Sequence, residues 1–212
     1  MAIKANRCHG DKETLVAVFP PDRTLYELCY FSGLKKLKIL AVTSEEVRMK
    51  LPHRVENKVL SFRSAPIIPR VLRSVSTPGR YDGLELLMGG QDVRGGVSVE
   101  LFSFLSRQVV DSSSAFGVGS VILVWETIPF HPYYRIPIFS ENTYHNLARC
   151  SLVVATTGRA RRHLEEMGID VQVEVIYPGV DVSFFSPSGE RRPATMLFVG
   201  RLAKHKGFHL LL

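Results

Sequence analysis

A short basic segment near the end of the chain has the residue types and spacing of an anion site. The apolar run over residues 196–199 predicts a buried strand, Gly200 follows it at once, and Arg201 and Lys206 precede a predicted helix. In open α/β sheets, ligands bind beyond the carboxyl ends of the strands. A glycine there lets the backbone approach a ligand, and each cation can bind a phosphate oxygen. The segment therefore predicts a phosphate-binding loop, with a solvated basic turn as the alternative.

The positive charge of the chain is concentrated around this segment. The 212 residues include 27 Lys or Arg and 20 Asp or Glu, so the formal net charge is +7. Residues 186–212 hold five basic residues against one acidic residue, which is more than half of that excess. Such an asymmetry indicates an anionic partner near this end. Basic and aromatic residues do not interleave as they do in nucleic-acid modules, so we expect no nucleic-acid partner.

Strands and helices that would position this loop alternate along the chain. Short apolar or β-branched runs predict strands at residues 15–19, 37–43, 58–62, 121–125, 152–155 and 173–176. Amphipathic spacing predicts helices at residues 24–34, 67–75, 99–110, 142–149 and 157–167, the last capped by Thr157. Residues 76–97 contain six glycines and leave the structure undecided. The alternation predicts an α/β fold, in which right-handed crossovers build a parallel sheet with helices on both faces.

The pattern changes after residue 177. Residues 178–194 are rich in proline, glycine and polar residues, which predicts a linker after a first domain of residues 1–177. Residues 195–212 would supply the first strand and the start of a helix of a second domain. A strand and one helical turn cannot bury a core of their own, so we expect this segment to be the start of a larger domain.

The cysteines and the apolar runs indicate the redox state and the cellular location of the protein. Cys8, Cys29 and Cys150 are scattered and form no CxxC pair, which predicts reduced thiols and no metal site. The apolar runs are far shorter than the roughly 20 residues that a transmembrane helix needs. We therefore expect a cytoplasmic protein, and the sequence leaves peripheral contact with a membrane open.

Three motifs follow one another in order near the end of the chain. They are residues 175–181 (VIYPGVD), residues 184–187 (FFSP), and residues 197–202 (LFVGRL) followed by Lys206-Gly207. In this order they resemble glycosyltransferase family 4, whose members have the GT-B fold, and residues 124–129 (VWETIP) resemble its N-terminal domain. The resemblance implies two Rossmann-like domains that face each other across a cleft, the first binding the acceptor and the second binding a nucleotide-diphosphate sugar.

The resemblance also implies a reaction and a set of site residues. The complete protein would transfer a sugar from a nucleotide-diphosphate sugar to a carbohydrate or lipid-linked acceptor, with retention of configuration and with no cofactor or metal. Arg201 and Lys206 would stabilise charge on the leaving diphosphate, and Gly200 would make room for the donor. Glu126, after a buried strand, would contact an acceptor hydroxyl as the catalytic candidate, or else be a loop or capping carboxylate. The family's C-terminal pair of glutamates is absent from these 212 residues, so we expect the isolated chain to be inactive.

Two other functions remain open at this point. A sugar-nucleotide epimerase has a similar two-domain build, although it would lack the segment that contains Gly200, Arg201 and Lys206. A non-catalytic Rossmann-like binding module with a basic C-terminal end would bind DNA or anionic vesicles in a salt-sensitive manner. The GRL-x-x-x-KG spacing favours the glycosyltransferase over both.

Overall fold

A computed structural model of the chain describes most of its first 178 residues. The described residues are 13–18, 37–44, 55–64, 79–99, 101–125, 136–168, 171–178, 196–199 and 207–210. The chain divides into two compact units, Met1–Gly179 and Val180–Leu212. The domain boundaries drawn from the sequence, after residues 177 and 194, stay predictions.

Parallel strands form the central sheet of the first unit. In chain order the described strands are β1 (Thr14–Val18), β2 (Lys38–Thr43), β3 (Val55–Val59), β4 (Phe62–Ser64), β5 (Gly79–Tyr81), β6 (Val93–Val99), β7 (Gly119–Val124), β8 (Leu152–Ala155) and β9 (Val173–Val175). Seven of them form a sheet in the order β3-β2-β1-β6-β7-β8-β9, and every neighbouring pair in it is parallel. Strands β4 and β5 form a separate antiparallel pair. The strand order reverses between β1 and β6, as in a Rossmann-like fold, so the predicted α/β class is confirmed.

The described helices pack against one face of this sheet. The described helices are α1 (Leu84–Met88), α2 (Phe104–Phe116), α3 (Pro137–Arg149) and α4 (Gly158–Glu166). Successive strand residues point to opposite faces, and the helices bury one set, including Val16, Val18, Ile122 and Val124. The other set is buried as well and includes Ala17, Ile39, Ala41, Val97 and Val99. The predicted helices at residues 24–34 and 67–75 lie outside the described residues.

The glycine-rich stretch that the sequence left undecided contains β5, α1 and most of β6. The helix predicted from residue 99 is wrong at its start, because β6 runs through Val99 and α2 begins only at Phe104. The glycines of β6 interrupt the apolar pattern by which a strand is recognised. They are required because neighbouring atoms pack closely against the strand backbone. A Cβ atom on Gly95 would lie 2.7 Å from the carbonyl oxygen of Gly119, and one on Gly96 would lie 2.6 Å from Cγ1 of Val109.

Other predicted elements also differ from the structure, among them the helix predicted at residues 142–149, which begins at Pro137. The strand predicted at residues 58–62 is wrong in extent, because β3 ends at Val59 and β4 begins at Phe62. Strand β3 lies at the sheet edge and is mostly polar, so no apolar run marks it. Residues 196–199 have no strand pairing with any described residue, and the helix predicted beyond them is a 3-10 turn at Phe208–Leu210.

The antiparallel strand pair β4–β5, called the β4–β5 hairpin below, is bound to α2 through the side chain of Gln108. The Nε2 group of Gln108 donates to the carbonyl oxygen of Tyr81 at 2.6 Å, and its Oε1 accepts from the N–H of Tyr81 at 2.9 Å. Tyr81 is fully buried. Its ring makes an edge-to-face contact with the ring of Phe62, with the ring centroids 5.0 Å apart. Gln108 therefore satisfies both backbone polar groups of a buried residue, which fixes the hairpin over α2.

Replacing Gly95 by alanine should destabilise the sheet. The added methyl group would meet a backbone oxygen of β7, which cannot move away without displacing the strand, so we expect a loss of about 1–3 kcal/mol in the free energy of unfolding. Gly119→Ala, at the residue paired with Gly95 across the strands, is the matched control, because its nearest new contact is at 3.7 Å. Urea denaturation measures both variants. Equal stability of the two would contradict this account of β6.

The stability of the first unit should depend on pH through His163. Burial in α4 lowers the pKa of His163 below its ordinary value of 6.5, against a smaller opposing effect of Glu166. The unfolded chain therefore takes up a proton at a higher pH than the folded chain does. We expect the free energy of unfolding to be greatest above pH 6.5 and to decrease as the pH drops toward the lowered pKa of His163.

The measurement is urea denaturation at several pH values between about 7.5 and 5.5. His163→Gln should weaken the pH dependence. His209→Gln removes an exposed histidine and should leave it as in the wild type. The assignment to His163 is wrong if both variants keep the wild-type slope.

Candidate functional site

The reversal of strand order defines where a ligand site of this fold should lie. Strands β1 and β6 are neighbours at the reversal, and ligands of open α/β sheets bind beyond the carboxyl ends of the strands there. Strand β6 ends at Val99, and Leu101 and Phe102, both buried, lead to the first residue of α2. The connection between β6 and α2 therefore lies at this edge.

Three buried serines hold this connection together. The hydroxyl of Ser98 donates to Oγ of Ser106 at 2.9 Å, and the hydroxyl of Ser106 donates to the carbonyl oxygen of Val99 at 2.9 Å. Ser103 caps α2, because its Oγ accepts from the backbone N–H of Ser106 at 3.0 Å. The serines thus satisfy polar groups of the strand end and of the helix start without water.

Two asparagines on α3 support the same connection from the other side. Nδ2 of Asn146 donates to the carbonyl oxygen of Leu101 at 2.6 Å, and Nδ2 of Asn142 donates to that of Phe102 at 3.3 Å. Both side chains are buried. Buried carbonyl groups need such partners, so α3 fixes the backbone where the chain leaves β6.

The next two strands end in a similar way. The hydroxyl of Thr156 donates to the carbonyl oxygen of Val124 at 3.1 Å, which joins the carboxyl ends of β7 and β8. Oγ1 of Thr157 accepts from the N–H of Ala160 at 3.0 Å, so the predicted cap of α4 is confirmed. A Cβ atom on Gly158 would lie 3.7 Å from the hydroxyl oxygen of Tyr177. This residue of the VIYPGVD motif therefore lies beside the start of α4, at the carboxyl edge of the sheet.

The predicted site residues themselves lie outside the described residues. These are Glu126, Gly200, Arg201 and Lys206. Their nearest described neighbours in the chain are Trp125, which packs against the second face of the sheet, and Gly207, whose φ is 75°. The roles assigned to the four residues from the sequence stay predictions.

Metal ligands, thiols and membrane-spanning helices are the other features of the described parts of the chain that bear on function. There, no three His, Cys, Asp or Glu side chains come together as metal ligands. Burial raises the pKa of the Cys150 thiol to about 11, so this thiol is protonated at neutral pH and unreactive. None of the described helices is long and apolar enough to cross a membrane.

Sequence reasoning missed the polar groups that support this edge. One local signal was available, since Ser103 precedes Ser106 by the three residues that separate an N-cap from the N–H that it binds. The pairing of Ser98 with Ser106, and that of Asn146 with Leu101, depend on tertiary packing and leave no local pattern.

Comparisons with known proteins assign no family: no protein-family model matches the chain, and a search of curated proteins gives no match.

Removing the hydroxyl of Ser106 should loosen the start of α2. Ser106→Ala removes the acceptor of the Ser98 hydroxyl and leaves the Val99 carbonyl with the longer bond from Ser103 at 3.3 Å. We expect a loss of about 1–3 kcal/mol in the free energy of unfolding. Ser113→Ala is the matched control. It makes the same change in the same helix at a buried serine whose Oγ has no hydrogen-bond partner among the described residues.

Urea denaturation of the two variants separates hydrogen bonding from packing. Ser113→Ala should be neutral or slightly stabilising, because it removes a buried hydroxyl that makes no bond. Equal losses in the two variants would show that the serine cluster contributes packing alone.

Proposed function

We propose that the chain contains the acceptor-side domain of a retaining glycosyltransferase that uses a nucleotide-diphosphate sugar. The observation that carries this proposal is the place of the VIYPGVD motif. The motif begins at Val175, the last residue of β9, and Tyr177 lies beside Gly158 at the carboxyl edge. The segment that resembles family 4 thus leaves the sheet on the side where ligands of this fold bind.

The fold supports the same proposal. A Rossmann-like sheet is the building unit that the resemblance implies for the acceptor-side domain, and strand β9 ends where that domain should end. Fold alone does not decide function, because the same sheet serves many reactions. The added weight comes from the three motifs in order over residues 175–207.

In the proposed reaction the bond between the anomeric carbon and a diphosphate oxygen breaks. A bond from the acceptor oxygen to that carbon forms on the same face of the sugar, and the acceptor hydroxyl gives its proton to an oxygen of the leaving diphosphate. Negative charge develops on the leaving diphosphate, where Arg201 and Lys206 would stabilise it. Glu126, next in the chain after the end of β7, would accept a hydrogen bond from the acceptor hydroxyl.

Binding of nucleotide diphosphates tests the donor half of this proposal. We expect UDP, GDP or ADP to bind the protein expressed from its complete reading frame in a calorimetric titration, and Arg201→Ala/Lys206→Ala to weaken that binding about tenfold or more, since two charge-assisted contacts are lost. Arg191→Ala/Arg192→Ala is the matched control, because it removes the same charge from the preceding linker. It should change the affinity by less than about twofold.

The outcomes distinguish the alternatives. Equal weakening in both double variants would show that the net positive charge, not a site, attracts the nucleotide. Interconversion of nucleotide sugars without an acceptor, by the protein expressed from its complete reading frame, would indicate an epimerase. Release of nucleotide diphosphate that requires an acceptor supports the transferase.

A further inference from the structure

A cavity of about 620 Å³ lies on the side of α2 that points away from the sheet. Its floor is a stripe of α2 residues spaced three or four apart, and its walls come from the β4–β5 hairpin and α1. The lining residues are Phe104, Arg107, Gln108, Asp111, Ser112 and Ala115 of α2, with Arg63, Gly79, Arg80 and Glu85. The sheet-facing residues Leu105, Val109 and Val110 lie on the opposite side of the helix. The cavity is therefore separate from the carboxyl edge of the sheet.

The carboxylates of the cavity already have donors. Oδ1 of Asp111 lies 2.7 Å from Nε2 of His145 and 3.4 Å from a guanidinium nitrogen of Arg149. Oε1 of Glu85 accepts from Nε2 of Gln108 at 3.2 Å. Asp111 also lies 3.9 Å from Nε of Arg107, so Asp111 pairs with groups of α2 and α3 and not with the hairpin arginines. The Gln108 amide leaves the negative charge of Glu85 in place at the cavity wall.

The arginines are unequally compensated. Arg63 pairs with Asp82 at 2.6 Å, and Arg107 lies 3.0 Å from Oδ1 of Asn142 and 3.5 Å from a carboxylate oxygen of Glu141. Arg80 has no carboxylate within 4.0 Å among the described residues. A guanidinium keeps its charge at all physiological pH values, so the exposed Arg80 is a cation without an ion pair among the described residues.

The register of the hairpin places two of these arginines directly opposite each other. Arg63 pairs with Arg80 across the antiparallel strands, so their side chains emerge on the same face, and both line the cavity. Like charges in opposite positions destabilise a strand pair. Gln108 and the Phe62–Tyr81 ring contact nevertheless hold the hairpin in this register. Asp82 offsets part of this repulsion at Arg63, and an anion between the two guanidinium groups would remove the rest.

We propose that this cavity binds a phosphate monoester of a small organic molecule. Arg80 and Arg63 bind the phosphate oxygens, and Phe104 and Ala115 contact the organic part. A phosphate monoester carries a charge of about −1.5 to −2 at pH 7 and three acceptor oxygens, so it can bind Arg80 directly and share Arg63 with Asp82. The volume lies in the range of about 300–1,000 Å³ typical of small-molecule sites and is far larger than a bare phosphate needs.

Calorimetric titration of the full chain with glucose 6-phosphate tests this site. Glucose 6-phosphate should bind, inorganic phosphate should bind more weakly, and glucose should not bind. Arg80→Gln should weaken the binding of glucose 6-phosphate about tenfold or more. Arg161→Gln is the matched control, because it removes an exposed arginine that pairs with Glu165 on α4, and it should leave the affinity unchanged.

A stability measurement shows that the variant acts on binding and not on folding. Arg80→Gln relieves the repulsion with Arg63, so its urea midpoint should equal or exceed that of the wild type while its ligand affinity falls. The same affinity for glucose 6-phosphate in Arg80→Gln and in the wild type overturns the proposal. So does binding of vesicles that contain phosphatidic acid without binding of glucose 6-phosphate, because the arginines would then form a surface patch.

This inference is independent of sugar transfer. Its variants change Arg80 and Arg161, whereas the nucleotide test changes Arg201 and Lys206. Failure of the glucose 6-phosphate test would not affect the proposed sugar transfer, and failure of the nucleotide test would not affect this inference.

Discussion

The close contact between α2 and β6 is the constraint on which the rest of the first unit depends. Gly96 has no side chain, so Val109 of α2 and Met88 of α1 reach the strand backbone. Two residues further on, Ser98 bonds to Ser106 and completes the contact with hydrogen bonds. Strand β6 also lies between β1 and β7, at the reversal of strand order. The position of α2 therefore determines the geometry of the carboxyl edge and of the helix layer together.

Two further structures are attached to α2 through its outer face. Gln108 holds the β4–β5 hairpin by both backbone groups of Tyr81. Asp111 and Arg107 reach α3, which in turn supplies Asn142 and Asn146 to the connection after β6. The helix thus links the cavity on one side to the carboxyl edge on the other. A shift of α2 along the sheet would disturb both.

The sequence predicted those elements whose signals are local. Strand β8 and the start of α4 match their predictions because a short β-branched run and a capping threonine act within a few residues. Strand β6 could not be recognised, because its glycines and serine are there for contacts with α1, α2 and β7. Strand β3 was misplaced because a polar edge strand carries no apolar run. The donor loop stays a prediction from motif order, whereas the serine and asparagine supports depend on residues brought together by folding.

The cavity shows why such a site escapes sequence analysis. Nothing in the composition pairs Arg63 with Arg80, since 16 residues separate them and only the hairpin register sets them side by side. The repulsion between them costs on the order of 1 kcal/mol or less, because both side chains remain partly hydrated. The two hydrogen bonds from Gln108 and the burial of Tyr81 together exceed that cost. The hairpin can therefore hold Arg80 opposite Arg63 although only Arg63 has a carboxylate partner among the described residues. An anion bound at Arg80 would make this arrangement more favourable.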